Sequence, residues 1–187
     1  MLYSELSETA KTKAREWYVS GDYPYDEWWD STYDWFKEVT AAMGFEVEDM
    51  RFKGFWSQGD GASWRGTWHP KEQMIAAVMD CTEDEKLRDI AIKLFHLQFT
   101  HGFKLRGDVA YLHNRYIHEN AMEVALECED REIDSDADAT FLELTRELAR
   151  WLYNQLEAEY EYLTSDEYVD EILDCNDYEF DENGEPE

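Results

Sequence analysis

Residues 45–69 constrain the fold most, because the period of the sequence changes there. Phe45, Val47, Met50 and Phe52 are interleaved, imperfectly, with charged residues. That is the period of a strand whose two faces meet different surroundings. "ASWRGTWH" resumes the alternation and reads as the partner strand. Between them, Gly59, Asp60 and Gly61 can supply the positive φ angles of a tight hairpin. Gln58 and Ser63 flank these three, and the five together form a hairpin motif. Loops displayed by rigid strands often carry function, so the motif is also a candidate binding element. A phosphate-binding loop is excluded, because it needs GxxxxGK[ST] before a helix, and here no Lys follows and the next element is a strand.

Helical periods surround this hairpin. Ser7 suits the start of a helix over "ETAKTKAREWYVS", and Gly21 its stop. "DYPYDEWWDSTYDWFKEVTAAMG" spaces its aromatics at three- and four-residue steps, which predicts a helix ending near Gly44. "KEQMIAAVMDC" and "TEDEKLRDIAIKLFHLQFTHG" predict two more, the second capped by Thr82 and stopped by Gly102. "DVAYLHNRYIHENAMEVALECED" alternates in two runs and predicts two strands joined by a short turn. "DREIDSDADA" reads as an acidic linker. In the following helix Phe141, Leu144, Leu148, Trp151, Leu152 and Leu156 make one apolar face. "SDEYVDEILDCN" predicts a last helix capped by Ser165. The expectation is an α+β fold: an antiparallel sheet of about four strands in two hairpins, packed with five or six helices. Residues 1–177 would form one domain and 178–187 an acidic C-terminal tail.

Charge decides which functions fit this fold. The chain carries 45 acidic and 17 basic side chains, a formal net charge of -28. Such a field repels nucleic acid and anionic membranes and attracts basic surfaces. From Glu127 onward there are 23 acidic residues and three basic ones. Cys81, Cys128 and Cys175 are widely spaced and form no CxxC pair, which favours reduced thiols and a cytoplasmic location. No apolar run approaches the roughly 20 residues that span a bilayer.

Two segments carry a resemblance. "FKGFWSQGDGASWRG" and "YEYLTSDEYVDEILDCNDYEFDENG" resemble segments of small phage and prophage proteins, a group often labelled antitoxin of a toxin–antitoxin stability system. The resemblance implies a small intracellular protein that neutralises a partner. It implies no catalytic residues.

The residues themselves offer little chemistry. His96 and His101, and likewise His113 and His118, are five apart, so neither pair makes the HExxH spacing of a zinc helix. A metal-assisted hydrolase would have to bring His101 and His113 together with nearby carboxylates. GxSxG is absent. "DSDAD" lacks the glycine and the twelfth-position Glu of a calcium loop. The expectation is a non-enzyme without metal or cofactor.

Carboxylates spaced along a helix can imitate the phosphates of a duplex. The candidate partner-binding acids are Glu143, Glu147, Glu157, Glu159 and Glu161 on the long helix, with Asp166, Glu167, Asp170, Glu171 and Asp174 on the last one. Trp64 and Trp68 are candidate aromatic anchors. The reading is a phage-type inhibitor that binds the basic surface of a nucleic-acid-handling protein: a CRISPR or restriction effector, or a toxin nuclease. It would act as a monomer or homodimer, without binding nucleic acid or membrane. The alternatives are the metal-assisted hydrolase and a non-catalytic structural or assembly protein.

Overall fold

The computed structural model describes residues 1–21, 27–112 and 116–187. Four strands, β1 (Phe45–Lys53), β2 (Gly61–Trp68), β3 (Leu105–Tyr111) and β4 (Met122–Cys128), form one antiparallel sheet in the order β1-β2-β3-β4. The helices are α1 (Glu8–Ser20), α2 (Asp30–Ala42), α3 (Met74–Cys81), α4 (Glu85–Thr100), α5 (Ser135–Leu163) and α6 (Asp166–Cys175). This is the α+β architecture that the two periods predict. By internal contacts the chain forms two compact units. Residues 30–155 make the sheet unit; residues 1–29 with 156–187 make the flanking unit.

In the sheet unit, β1 and β2 pair Phe45 with Trp68, Met50 with Trp64 and Phe52 with Ala62. The register shifts between Val47 and Asp49. That bulge is the physical reason the alternation of β1 is imperfect, since an extra residue re-aims the side chains that follow. Phe36 of α2, Phe45, Trp64, Trp68 and Phe141 of α5 form a continuous aromatic core. Ring centroids are 5.1 Å apart for Phe45 and Trp64, and 4.9 Å for Trp68 and Phe141. Trp64 Nε1 donates to the Thr145 carbonyl at 3.3 Å and Trp68 Nε1 to that of Met43 at 3.0 Å, so neither indole is buried unpaired. Gly107 makes room for this core: a Cβ there would lie 2.5 Å from the Phe141 ring.

Several boundaries differ from the sequence reading. Asp84, not Thr82, caps α4, accepting from the Leu87 amide at 3.0 Å; the Thr82 hydroxyl instead accepts from the Asp84 amide. β3 begins at Leu105 and ends at Tyr111, and a short 3₁₀ turn, Glu119–Ala121, precedes β4. The linker is also shorter than expected. The Asp134 carboxylate accepts from the Ala137 amide at 2.7 Å and α5 starts at Ser135, so most of "DSDADA" is the first turns of a helix. Acids there favour the positive end of the helix dipole.

In the flanking unit, Ser7 caps α1 and Ser165 caps α6, as their positions predict. Ala10, Ala14 and Tyr18 recur at four-residue steps on α1 and share a core with Tyr3, Leu6, Val169, Leu173 and Phe180. Residues 178–187 are therefore not a loose tail. Phe180 is fully buried, its amide donates to the Met1 carbonyl at 2.9 Å, and the Met1 amino group donates back to the Phe180 carbonyl at 2.7 Å. Gly184, at φ +86°, lies so close to α1 that a Cβ would sit 2.1 Å from the Ala10 carbonyl oxygen.

Candidate partner-binding surface

The structure sorts the ten candidate acids by their surroundings. In the sheet unit Glu143 is held by Arg150 at 2.5 Å, and the mostly buried Glu147 carboxylate is held by Lys86. Both are neutralised where they stand. In the flanking unit Asp170 is half-buried and structural. It accepts from Arg15 through two bonds, 2.5 Å from Nε and 2.7 Å from the terminal nitrogen, and also accepts from the Tyr3 hydroxyl. The Arg15 bond holds the Asp170 carboxyl below its ordinary range, against burial, and the Tyr3 bond adds to it. Burial first, and the Asp170 carboxylate second, push the Tyr3 hydroxyl up. These three groups lock α6 to α1. Asp170 is thus withdrawn from the partner-binding set, and Glu147 with it.

Trp64 and Trp68 are also withdrawn. Both are 0% exposed, because β2 aims them into the aromatic core. The exposed aromatic among the acids is Tyr162, at 57%, with the Tyr168 ring 5.0 Å away. The sequence does carry a signal for it. The apolar arc of α5 runs unbroken to Leu152, Gln155 interrupts it beside Leu156, and Glu159 follows; beyond Leu156 no residue of α5 is buried. A tyrosine at the end of an interrupted arc reaches solvent.

What remains is a one-signed surface. Residues 156–187 contain fourteen acids and no Lys or Arg. On α6, Glu167, Glu171 and Asp174 are exposed and share an arc with Asp170, opposite the buried Val169 and Leu173. Glu161 is exposed, while Glu157 and Glu159 are half-exposed; none of the three has an ion pair among the described residues. Asp166 is exposed and lies 3.6 Å from Arg15. A cavity of about 400 Å³ opens beside it, lined by Thr12, Arg15, Glu16, Val19, Ser20 and Asp166.

The hairpin motif splits. Gly59 has φ +90° and fulfils the turn role. Gly61 does not take a positive φ; it is a close-approach position, where a Cβ would lie 3.0 Å from the His118 ring. Ser63 is buried within β2 and is no binding group. Asp60 closes the loop by accepting from the Ser57 amide at 2.8 Å. Gln58 and Gly59 line a cavity of about 80 Å³ with Lys53, Tyr116 and Ile117. The loop spans residues 54–60 and is no two-residue turn: Gly54 and Trp56 also take positive φ, of 52° and 70°.

His113, half of the candidate metal pair, lies outside the described residues. His101 Nδ1 sits 2.8 Å from the Leu97 carbonyl. Among the described residues no three His, Cys, Asp or Glu side chains converge to hold a metal ion. No helix among them is long and apolar enough to cross a membrane.

Residues 28–166 match the domain family described as Domain of unknown function (DUF8835). The chain belongs to the DUF8835 family. No curated protein and no solved structure matches it. The DUF8835 match contains the whole sheet unit, whereas ten of the fourteen acids beyond Leu156 lie outside it.

Proposed function

We propose that this DUF8835 protein is a non-catalytic, protein-binding inhibitor that acts in the cytoplasm, of a host cell where the chain is phage-encoded. Its flanking unit engages the basic surface of a nucleic-acid-handling protein, such as a CRISPR or restriction effector or a toxin nuclease. The observation that carries the reading is that the acid-dense segment is folded. A solubilising tail works as well disordered. Here capped α6, buried Phe180 and the Arg15–Asp170–Tyr3 lock hold the acids in fixed positions.

The spacing supports mimicry of a nucleic acid. From Glu167 to Asp174 the helix rises about 10 Å and presents three exposed carboxylates, Glu167, Glu171 and Asp174, about 5 Å per charge, a spacing of the same order as the roughly 3.4 Å of axis per phosphate along one strand of B-DNA. The cavity beside Asp166 and Glu16 would receive a Lys or Arg side chain, and Tyr162 would supply localised apolar contact. The resemblance of residues 52–66 and 160–184 to phage proteins labelled as antitoxins points the same way.

The test is capture of the partner from host lysate, followed by competition. Duplex or single-stranded nucleic acid should displace the protein from its captured partner, and the more effective competitor identifies which of the two is imitated. A partner that keeps the protein bound at saturating nucleic acid would rule out a shared site.

A further inference from the structure

Residues 90–107 contain no acidic side chain, in a chain with 45 of them. The stretch covers the second half of α4, its cap and the start of β3, and it carries an aromatic trio. The Phe95 ring lies 6.3 Å from Phe99 and 5.6 Å from Phe103, and Phe99 lies 6.4 Å from Phe103. Phe99 is 64% exposed. The geometry that holds the trio is specific. Gly102 and Phe103 both take left-handed backbone angles, φ +64° and +59°. The Phe103 amide then donates to the Gln98 carbonyl at 3.0 Å, closing the end of α4 and laying the ring against the other two. A non-glycine residue takes that conformation only at a cost, so the surrounding structure must enforce it.

The bases around the trio are balanced. Lys93 pairs with Asp89 at 2.7 Å, Lys104 with Asp130 at 2.6 Å and Arg106 with Glu129 at 3.2 Å. The patch is therefore apolar at its centre and near neutral at its rim, on a molecule of net charge -28.

We propose that this patch is where a second copy of the chain docks, face to face about a twofold axis. Two copies repel each other wherever acids face acids. At the trio they meet with neutral rims and exposed rings, so this approach costs least and buries most. An isologous contact also lets Lys93 of one copy share Asp89 of the other. The surroundings disfavour other occupants: a basic protein is drawn to the acidic surfaces instead, and an acidic one is repelled by the rest of the molecule. Only Phe99 is mostly exposed, Phe95 and Phe103 being half-buried, so the rings offer each copy little more area than one whole aromatic side chain, about 150–250 Å²; the contact is smaller than a standard interface and the dimer is weak. The inference does not rest on the proposed function, which uses a different surface.

Sedimentation velocity on the full chain over a concentration series tests it, at low and at high salt. Salt shortens the screening length from about 10 Å at 0.1 M to about 3 Å at 1 M, which relieves repulsion between copies and leaves apolar contact intact. The expected result is a monomer–dimer equilibrium that shifts toward dimer as salt rises. Phe99→Glu should abolish the dimer at every salt concentration while its far-ultraviolet circular dichroism and melting curve match the parent. Trp56→Ala, which removes a different exposed aromatic, should leave the dimer unchanged. A parent that stays monomeric at high salt and high concentration would overturn the proposal. So would a Phe99→Glu variant that dimerises like the parent, or a dimer lost in Trp56→Ala.

Discussion

The two units of this chain balance charge in opposite ways. The sheet unit has 126 residues and offsets 25 acids with 14 bases; the flanking unit has 61 residues and sets 20 acids against three. In the sheet unit acids such as Glu143 and Glu147 sit beside a base, and the fold is organised by aromatic packing. In the flanking unit one base, Arg15, serves two aspartates, and most of the remaining acids face solvent. The difference separates two jobs. A large aromatic core can stand alone, whereas a small unit under self-repulsion needs specific tethers.

The comparison is open to attack at its strongest point first. Trp68→Ala should destabilise the sheet unit by about 3–5 kcal/mol, because it removes a fully buried ring and leaves a cavity among Phe45 and Phe141. A thermal melt followed by near-ultraviolet circular dichroism reads this, and a parent-like melt would mean the aromatic core does not organise the unit. Gly107→Ala should cost less, about 1–3 kcal/mol, by forcing the Phe141 ring away. Chemical denaturation should show a lowered midpoint with an unchanged slope.

The flanking unit is probed by Asp170→Asn, with a smaller expected loss of about 1 kcal/mol after allowance for solvent screening. Here the pH dependence is the sharper readout. The folded-state pKa of Asp170 is lowered, so its contribution is fully present above the ordinary carboxylate value of 3.8 and is lost as pH falls through the depressed value. The gap in melting temperature between parent and variant should therefore be constant near neutral pH and close only in strong acid. A gap that is absent at neutral pH would remove the Arg15–Asp170 lock from the account.

Much of this architecture was legible in the sequence because it rests on local signals. Period, Ser7, Ser165 and Gly21 located the helices, and alternation located the strands. The misreadings of Trp64, Trp68 and Asp170 share a cause: each depends on what lies across space. Trp64 and Trp68 look like anchors until β2 is seen to aim them inward. Asp170 looks like its neighbours Glu167 and Glu171 until Arg15 and Tyr3, more than 150 residues away, are placed beside it. The acidic "DSDADA" hid a helix start because composition outweighed the cap at Asp134. The packing of the acidic tail was not legible because its two aromatics, Tyr178 and Phe180, give no periodic signal. Tyr162 was readable in principle, from the break in the apolar arc of α5, but only once the end of the buried arc at Leu156 was known.

The central claim is that the partner is bound by the flanking unit's exposed acids and not by acidity in general. It is tested most directly by measuring affinity for the captured partner across a range of salt, with two charge-reversed variants. One carries Lys at Glu161, Glu167, Glu171 and Asp174. The other carries Lys at Glu46, Glu123 and Glu127, exposed on the sheet unit. Both are first checked for parent-like circular dichroism. The account predicts that parent affinity falls steeply with salt, that the first variant loses binding, and that the second keeps most of it, since rim charges are individually weak. A folded first variant that binds at full strength, or a second variant that loses binding as completely as the first is expected to, would contradict it.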